Sequence, residues 1–145
     1  MVHDLYQEII LDHSKRPRNY HPMDHPDREA EGYNPLCGDK LKLFLKIEND
    51  VVTDASFVGC GCAISTSSAS LMTETIKGKS RAEALKLLDQ FHELLTTDVG
   101  VSKELGKLVV FCGVRDYPAR VKCATLAWHT LKSALEDTGE TATSE

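Results

Sequence analysis

Between residues 41 and 47 leucine or isoleucine falls on every second position, and this constrains the fold more than any other feature of the chain. Leu41, Leu43, Leu45 and Ile47 alternate with Lys40, Lys42, Lys46 and Glu48, the period of a strand with one buried face. Asn49-Asp50 then supplies a turn, and Val51 to Val58 is a second run rich in β-branched and aromatic residues. The pair predicts an antiparallel hairpin. A hairpin returns the chain to where it began, so residues just before Lys40 and just after Val58 meet at one end of the sheet.

Helical periods flank the hairpin. Leu5, Ile9 and Ile10 share a face of an N-terminal helix that stops near Arg16, because Pro17 disfavours helical geometry in the residue before it. Residues 17–35 hold four of the five prolines and predict a loop with one short strand near Ala30. After Gly59-Cys60-Gly61-Cys62, the residues Ile64, Leu71, Met72 and Ile76 share a helix face that ends at Gly78. Ser80 to Glu83 forms a capping box opening a helix with the stripe Leu85, Leu88, Phe91 and Leu95. Leu108–Phe111 fits a strand, while Ser102-Lys103-Glu104-Leu105 fits a helix start, and the pattern does not choose. A last helix opens at Pro118 and carries Val121, Ala124, Trp128, Leu131 and Leu135 at intervals of three and four. Strands early and helices late, without βαβ alternation, predict an α+β domain with helices on one face of a small antiparallel sheet. No repeat or linker divides residues 1–145, so one domain is expected, with residues 137–145 as a frayed acidic tail.

Composition excludes several classes. Leu, Ile, Val and Phe number 36, about a quarter of the chain, above the usual range of disordered sequences. A formal charge of −5 argues against nucleic-acid and anionic-membrane binding. No apolar run is long enough to span a bilayer, and no basic then apolar leader opens the chain, so a cytoplasmic protein is expected. Five cysteines, an odd number, suit metal ligation or thiol chemistry in a reducing compartment better than disulfide staples.

The hairpin brings Cys37-Gly38-Asp39 and Cys62 to one end of the sheet, and Cys123, one turn into the last helix, can close over it. Cys37, Asp39, Cys62 and Cys123 would supply three thiolates and a carboxylate, a donor set suited to zinc. The spacing lacks the paired knuckles of a zinc finger, and separately buried cysteines are the plain alternative. Cys37, flanked by Gly38 and Asp39 in a polar loop, suits exposure better than core packing. All six histidines read as solvated or structural. His21 and His25 are separated by helix-breaking Pro22, His129 points about 240° around the helix from Cys123, and His3, His13 and His92 fall on helix surfaces. Arg120 precedes Cys123 by three residues and shares its face, where a cation favours thiolate.

Three motifs carry a family resemblance. Asn34-Pro35-Leu36-Cys37-Gly38-Asp39, Gly61-Cys62-Ala63-Ile64-Ser65 and Pro118-Ala119-Arg120-Val121-Lys122-Cys123-Ala124-Thr125-Leu126 closely resemble the IscU and SufU family of iron–sulfur assembly proteins. The likeness runs from about residue 3 to 135. Within the family the chain looks like the SufU branch. Lys122 stands where the IscU branch has histidine, Tyr117-Pro118-Ala119-Arg120-Val121 replaces its chaperone-docking motif, and the stretch from Gly78 to Pro118 is long. The resemblance implies a three-stranded sheet and a zinc-dependent sulfurtransferase that takes persulfide sulfur from a SufS-type pyridoxal-phosphate cysteine desulfurase and relays it to downstream iron–sulfur assembly proteins. It implies Cys37, Asp39, Cys62 and Cys123 as zinc ligands, Cys37 also as sulfur acceptor, and Arg120 as a catalytic residue beside the thiolates. It further implies that a desulfurase histidine replaces Cys37 at the metal on docking. Cys60 and Cys112 depart from the family pattern. Two other functions fit the same thiolates: a scaffold assembling a [2Fe–2S] cluster, and a structural zinc domain without transfer chemistry.

Overall fold

The structure, a computed structural model, describes residues 2–35, 38–96, 103–136 and 142–143. Helix α1 (Val2–Lys15) leads through the proline-rich loop to β1 (Arg28–Asn34), followed by β2 (Asp39–Glu48) and β3 (Val51–Cys60). The helices α2 (Ala63–Ile76) and α3 (Arg81–Thr96) follow, then 3-10 turns over Lys103–Asp116, α4 (Pro118–Glu136) and a two-residue strand β4 (Ala142–Thr143). The expected α+β class and helix-covered antiparallel sheet are both present. The antiparallel strands run in the order β3-β2-β1, and β4 adds in parallel to the outer edge of β1. Of the tail expected to fray, only these two residues are described.

The hairpin forms where the alternation places it. Asn49 and Asp50 both have positive φ (51° and 65°), the geometry of a two-residue turn whose twist suits the flanking strands. Leu41, Leu43 and Leu45 point into the core, and a bulge between Lys46 and Ile47 adjusts the register. Phe44, on the opposite face, is also buried and lies beneath the Lys42 ammonium. The strand expected near Ala30 is β1, paired from Arg28↔Leu45 to Asn34↔Asp39.

Helix α4 packs on β1, β2 and α2, and is buried along Cys123, Ala124, Ala127, Trp128, Leu131 and Leu135. Its Trp128 stacks on Phe91 of α3 at 4.9 Å between ring centroids, and Phe91 meets Phe111 edge-on. That aromatic contact settles the stretch the sequence left open. Leu108–Phe111 is helical, in 3-10 turns interrupted at Gly106 (φ 52°, ψ −124°), and Leu108 and Phe111 are fully buried. Ser102 of the alternative helix start lies outside the described residues. The capping box is present in both directions: Ser80 N donates to Glu83 Oε1 (3.0 Å) and Glu83 N donates to Ser80 Oγ (3.1 Å). The α3 stripe shifts slightly, with Ala84, Leu87 and Leu94 buried and Leu85 only half-buried.

Ile9 and Ile10 pack on the core from α1, while the Leu5 side chain lies outside the described set. His13, expected on a helix surface, is instead buried between α1 and α2, with Nδ1 2.7 Å from Ser70 Oγ. Its structural role holds; its placement was misjudged because nothing local marks which face α1 turns to α2. Among the described residues no helix is long and apolar enough to cross a membrane.

Candidate metal centre

Strand pairing builds the site. Asn34 ends β1 opposite Asp39, which starts β2, while Lys40 pairs with Cys60 at the end of β3. The connection between β1 and β2 is closed by Gly38 N donating to Asn34 O at 2.7 Å, with Gly38 at φ 74°, a conformation that favours glycine. Cys37 lies outside the described residues; covalent connectivity ties it to Gly38-Asp39.

From the other strand, Gly61 and Cys62 carry the chain off the sheet into α2. Cys62 is the N-cap of that helix, and Ser65 N donates to its Sγ at 3.5 Å. Cysteine is an unusual cap, and here it places sulfur at the helix end whose free N–H groups stabilise negative charge. Cys62 N donates in turn to Asp39 Oδ1 at 2.9 Å. Cys123 reaches the same point from α4. The ligand atoms of Asp39, Cys62 and Cys123 all lie within 4.8 Å of one another. Around a tetrahedral zinc such atoms sit roughly 3.5–3.8 Å apart. A contraction of about 1 Å therefore fits this donor set to zinc, and thiolates suit iron–sulfur clusters as well.

Burial is uneven across the group. Asp39 and Cys123 are 1% and 3% exposed, whereas Cys62 is open to solvent. It faces a cleft of about 860 Å³ lined by Cys123, Ile10, Leu11, Val114, Tyr117 and Arg120. Arg120 is exposed, and its guanidinium lies over the Tyr117 ring at 4.8 Å, so it borders the same opening as the two sulfurs. Cys60 is exposed and does not join the ligand group; Cys112 is half-buried against the core.

Two residues here were not anticipated as site residues. Asn34 is fully buried, and its Nδ2 donates to Asp39 Oδ2 (3.1 Å) and Cys123 Sγ (3.5 Å). The available signal was parity: Ala30, Gly32 and Asn34 occupy the inward positions of β1, so an amide there requires buried partners. Gly61 packs so closely that a Cβ on it would lie 2.7 Å from Asp39 Oδ1. Only the strand register reveals that approach.

Fold and side-chain group together define a small α+β domain that gathers two cysteines and an aspartate at one end of its sheet. The chain belongs to the NifU-like N terminal domain family, whose profile matches residues 5–124. It is 41% identical over 136 residues to the iron-sulfur cluster assembly scaffold protein IscU of Streptococcus pyogenes serotype M1, covering 93% of this chain and 85% of that protein. To the zinc-dependent sulfurtransferase SufU of Bacillus subtilis it is 40% identical over 132 residues, covering 90% of this chain and 89% of the relative. A crystal structure described as a putative iron-sulfur cluster assembly scaffold protein for the SUF system, from Fervidobacterium islandicum AW-1, superposes with a TM-score of 0.85 at 36% identity, covering 92% of this chain and 98% of that one. The family suggested by the three sequence motifs is thus the family found.

Proposed function

We propose that this chain is a zinc-dependent sulfur-relay protein of iron–sulfur cluster assembly, which accepts persulfide sulfur on Cys37 from a pyridoxal-phosphate cysteine desulfurase. The observation that carries the reading is the convergence of Asp39, Cys62 and Cys123 within 4.8 Å, two residues along the chain from Cys37. The likeness to a relative named as a zinc-dependent sulfurtransferase adds to it. Asp39, Cys62 and Cys123 would hold zinc, with Cys37 as fourth ligand. Zinc, when bound, keeps thiolates deprotonated and ties together the chain ends that carry them.

The transfer itself needs no oxidant. The Cys37 thiolate attacks the outer sulfur of the desulfurase persulfide, and a new S–S bond forms at Cys37. The old S–S bond breaks, its electron pair leaving with the desulfurase thiolate, while the proton of the outer sulfur stays with it. Gly38 gives the backbone beside Cys37 access to conformations other residues avoid. Arg120, which lines the cleft, would offset negative charge on an incoming or departing sulfur.

Assembly of a [2Fe–2S] cluster on the same thiolates is the second reading, favoured by the likeness to the scaffold-named relative. Mass-spectrometric mapping after reaction with a desulfurase and cysteine tests the relay. The expected result is a persulfide on Cys37, and loss of desulfurase stimulation in Cys37→Ala. A persulfide on Cys60 or Cys112, with Cys37 unmodified and Cys37→Ala still active, overturns it.

A further inference from the structure

We infer that Asn34 is a positioning residue of the metal centre: its amide holds Asp39 and Cys123 in register and draws charge from the Cys123 sulfur. The inference rests on the reading of this group as a metal site and assigns a role to a residue outside the ligand set.

Both neighbours of the Asn34 amide fix its orientation. A carboxylate and a thiolate are acceptors only, so the NH2 end must face them and the carbonyl end cannot. One hydrogen goes to Asp39 Oδ2 at 3.1 Å and the other to Cys123 Sγ at 3.5 Å. A single rigid group thereby bridges ligands contributed by β2 and α4, elements joined here by no covalent link nearer than their places in the chain. Asn34 is itself anchored at the paired end of β1, opposite Asp39, and is fully buried. Cys62 N holds the other oxygen of the same carboxylate. Asp39 is therefore clamped from both sides, which limits its rotation and pre-sets the ligand spacing before a metal arrives.

The second effect is electronic. An N–H donor on a thiolate sulfur lowers the electron density that the sulfur offers a metal and so moves the charge-transfer band, whereas losing the positioning role of an outer-shell partner typically costs 10–100-fold in metal affinity. A residue that merely satisfied a buried polar position would leave the metal–sulfur bond unaltered. The two roles are therefore separable by spectroscopy.

The test compares wild-type protein with Asn34→Leu, similar in size but without donors. Zinc affinity is read by competition with a chromophoric chelator, the thiolate-to-metal charge-transfer band is read after loading with Co2+, and the metal-free fold is read by circular dichroism. The expected result is a zinc affinity lower by roughly 10–100-fold, with the band at lower energy because the sulfur is more electron-rich. Equal affinity and an unmoved band in a folded Asn34→Leu protein overturn the inference while leaving the metal-site reading intact. Wild-type protein that takes up neither zinc nor Co2+ overturns that reading, and this inference with it. If Asn34→Leu does not fold, wild-type protein loaded with spin-active cadmium decides the question by NMR. A slowly exchanging Asn34 side-chain proton coupled to cadmium through sulfur is expected; a freely exchanging, uncoupled one refutes the bridge.

Discussion

Replacing Gly61 by alanine perturbs the site through one contact. The added Cβ would lie 2.7 Å from Asp39 Oδ1, 3.1 Å from its Cγ and 3.2 Å from its Cβ, where ordinary contact begins at 3.4 Å. The carboxylate or the Gly61-Cys62 backbone must give way by about 0.7 Å. Either movement stretches the 2.9 Å bond from Cys62 N to Asp39 Oδ1 beyond hydrogen-bonding distance. A hydrogen bond to a charged group contributes about 1.5–3 kcal/mol. Because it helps set the ligand spacing, its loss should weaken zinc binding by roughly 10- to 100-fold. The same bond holds the buried Asp39 carboxylate without a metal, so the metal-free protein should also melt earlier, by the loss of about 1.5–3 kcal/mol. Chelator competition and thermal melts of Gly61→Ala after metal removal measure the two quantities. Unchanged zinc affinity, or an unchanged thermal midpoint of the metal-free protein, would refute the reasoning.

Cys62→Ala and Cys123→Ala each remove a ligand and should weaken zinc binding by more than the roughly 100-fold expected of outer-shell changes, with earlier melting of the metal-loaded protein; full zinc content and stability in either would exclude that residue as a ligand. Cys60→Ser should retain zinc and sulfur transfer, since Cys60 stands outside the group of converging ligand atoms, as metal analysis and a desulfurase assay would show. Burial, aided by the Arg18 charge, pushes the His13 imidazole below its ordinary 6.5. The unfolded chain therefore takes up this proton at higher pH than the folded one, so the stability contribution is complete above 6.5 and is lost as pH falls through the folded value. Arg18 N already donates to Ser70 Oγ, which leaves the Ser70 hydroxyl proton for neutral His13 Nδ1. Thermal midpoints should drop on acidification below 6.5, and His13→Gln should flatten that dependence; an equally steep profile in the variant would contradict this account.

Legibility in the sequence followed the range of the interactions involved. The β2–β3 hairpin and the capping box of α3 were readable because alternation, turn residues and capping all act within a few residues. The meeting of Asp39 with Cys62 followed from the same hairpin, since antiparallel pairing returns the chain to its start. The 3-10 turns over Lys103–Asp116 were not readable: the break at Gly106 interrupts any period, and docking of Phe111 on Phe91 fixes the segment from outside. His13 was misplaced for a related reason, its partner Ser70 being supplied by a distant helix. Asn34 was marked as inward by the parity of β1, but its partners come from strand register and a distant helix; Gly61 belongs to the site through a close approach that no local pattern encodes.

Metal analysis of anaerobically purified protein, together with its visible spectrum, tests the central claim most directly. The relay account predicts one zinc per chain and no visible absorption, because zinc has a filled d shell. Iron and labile sulfide in equal amounts, with a cluster spectrum that persists on purification, would contradict it and favour the scaffold.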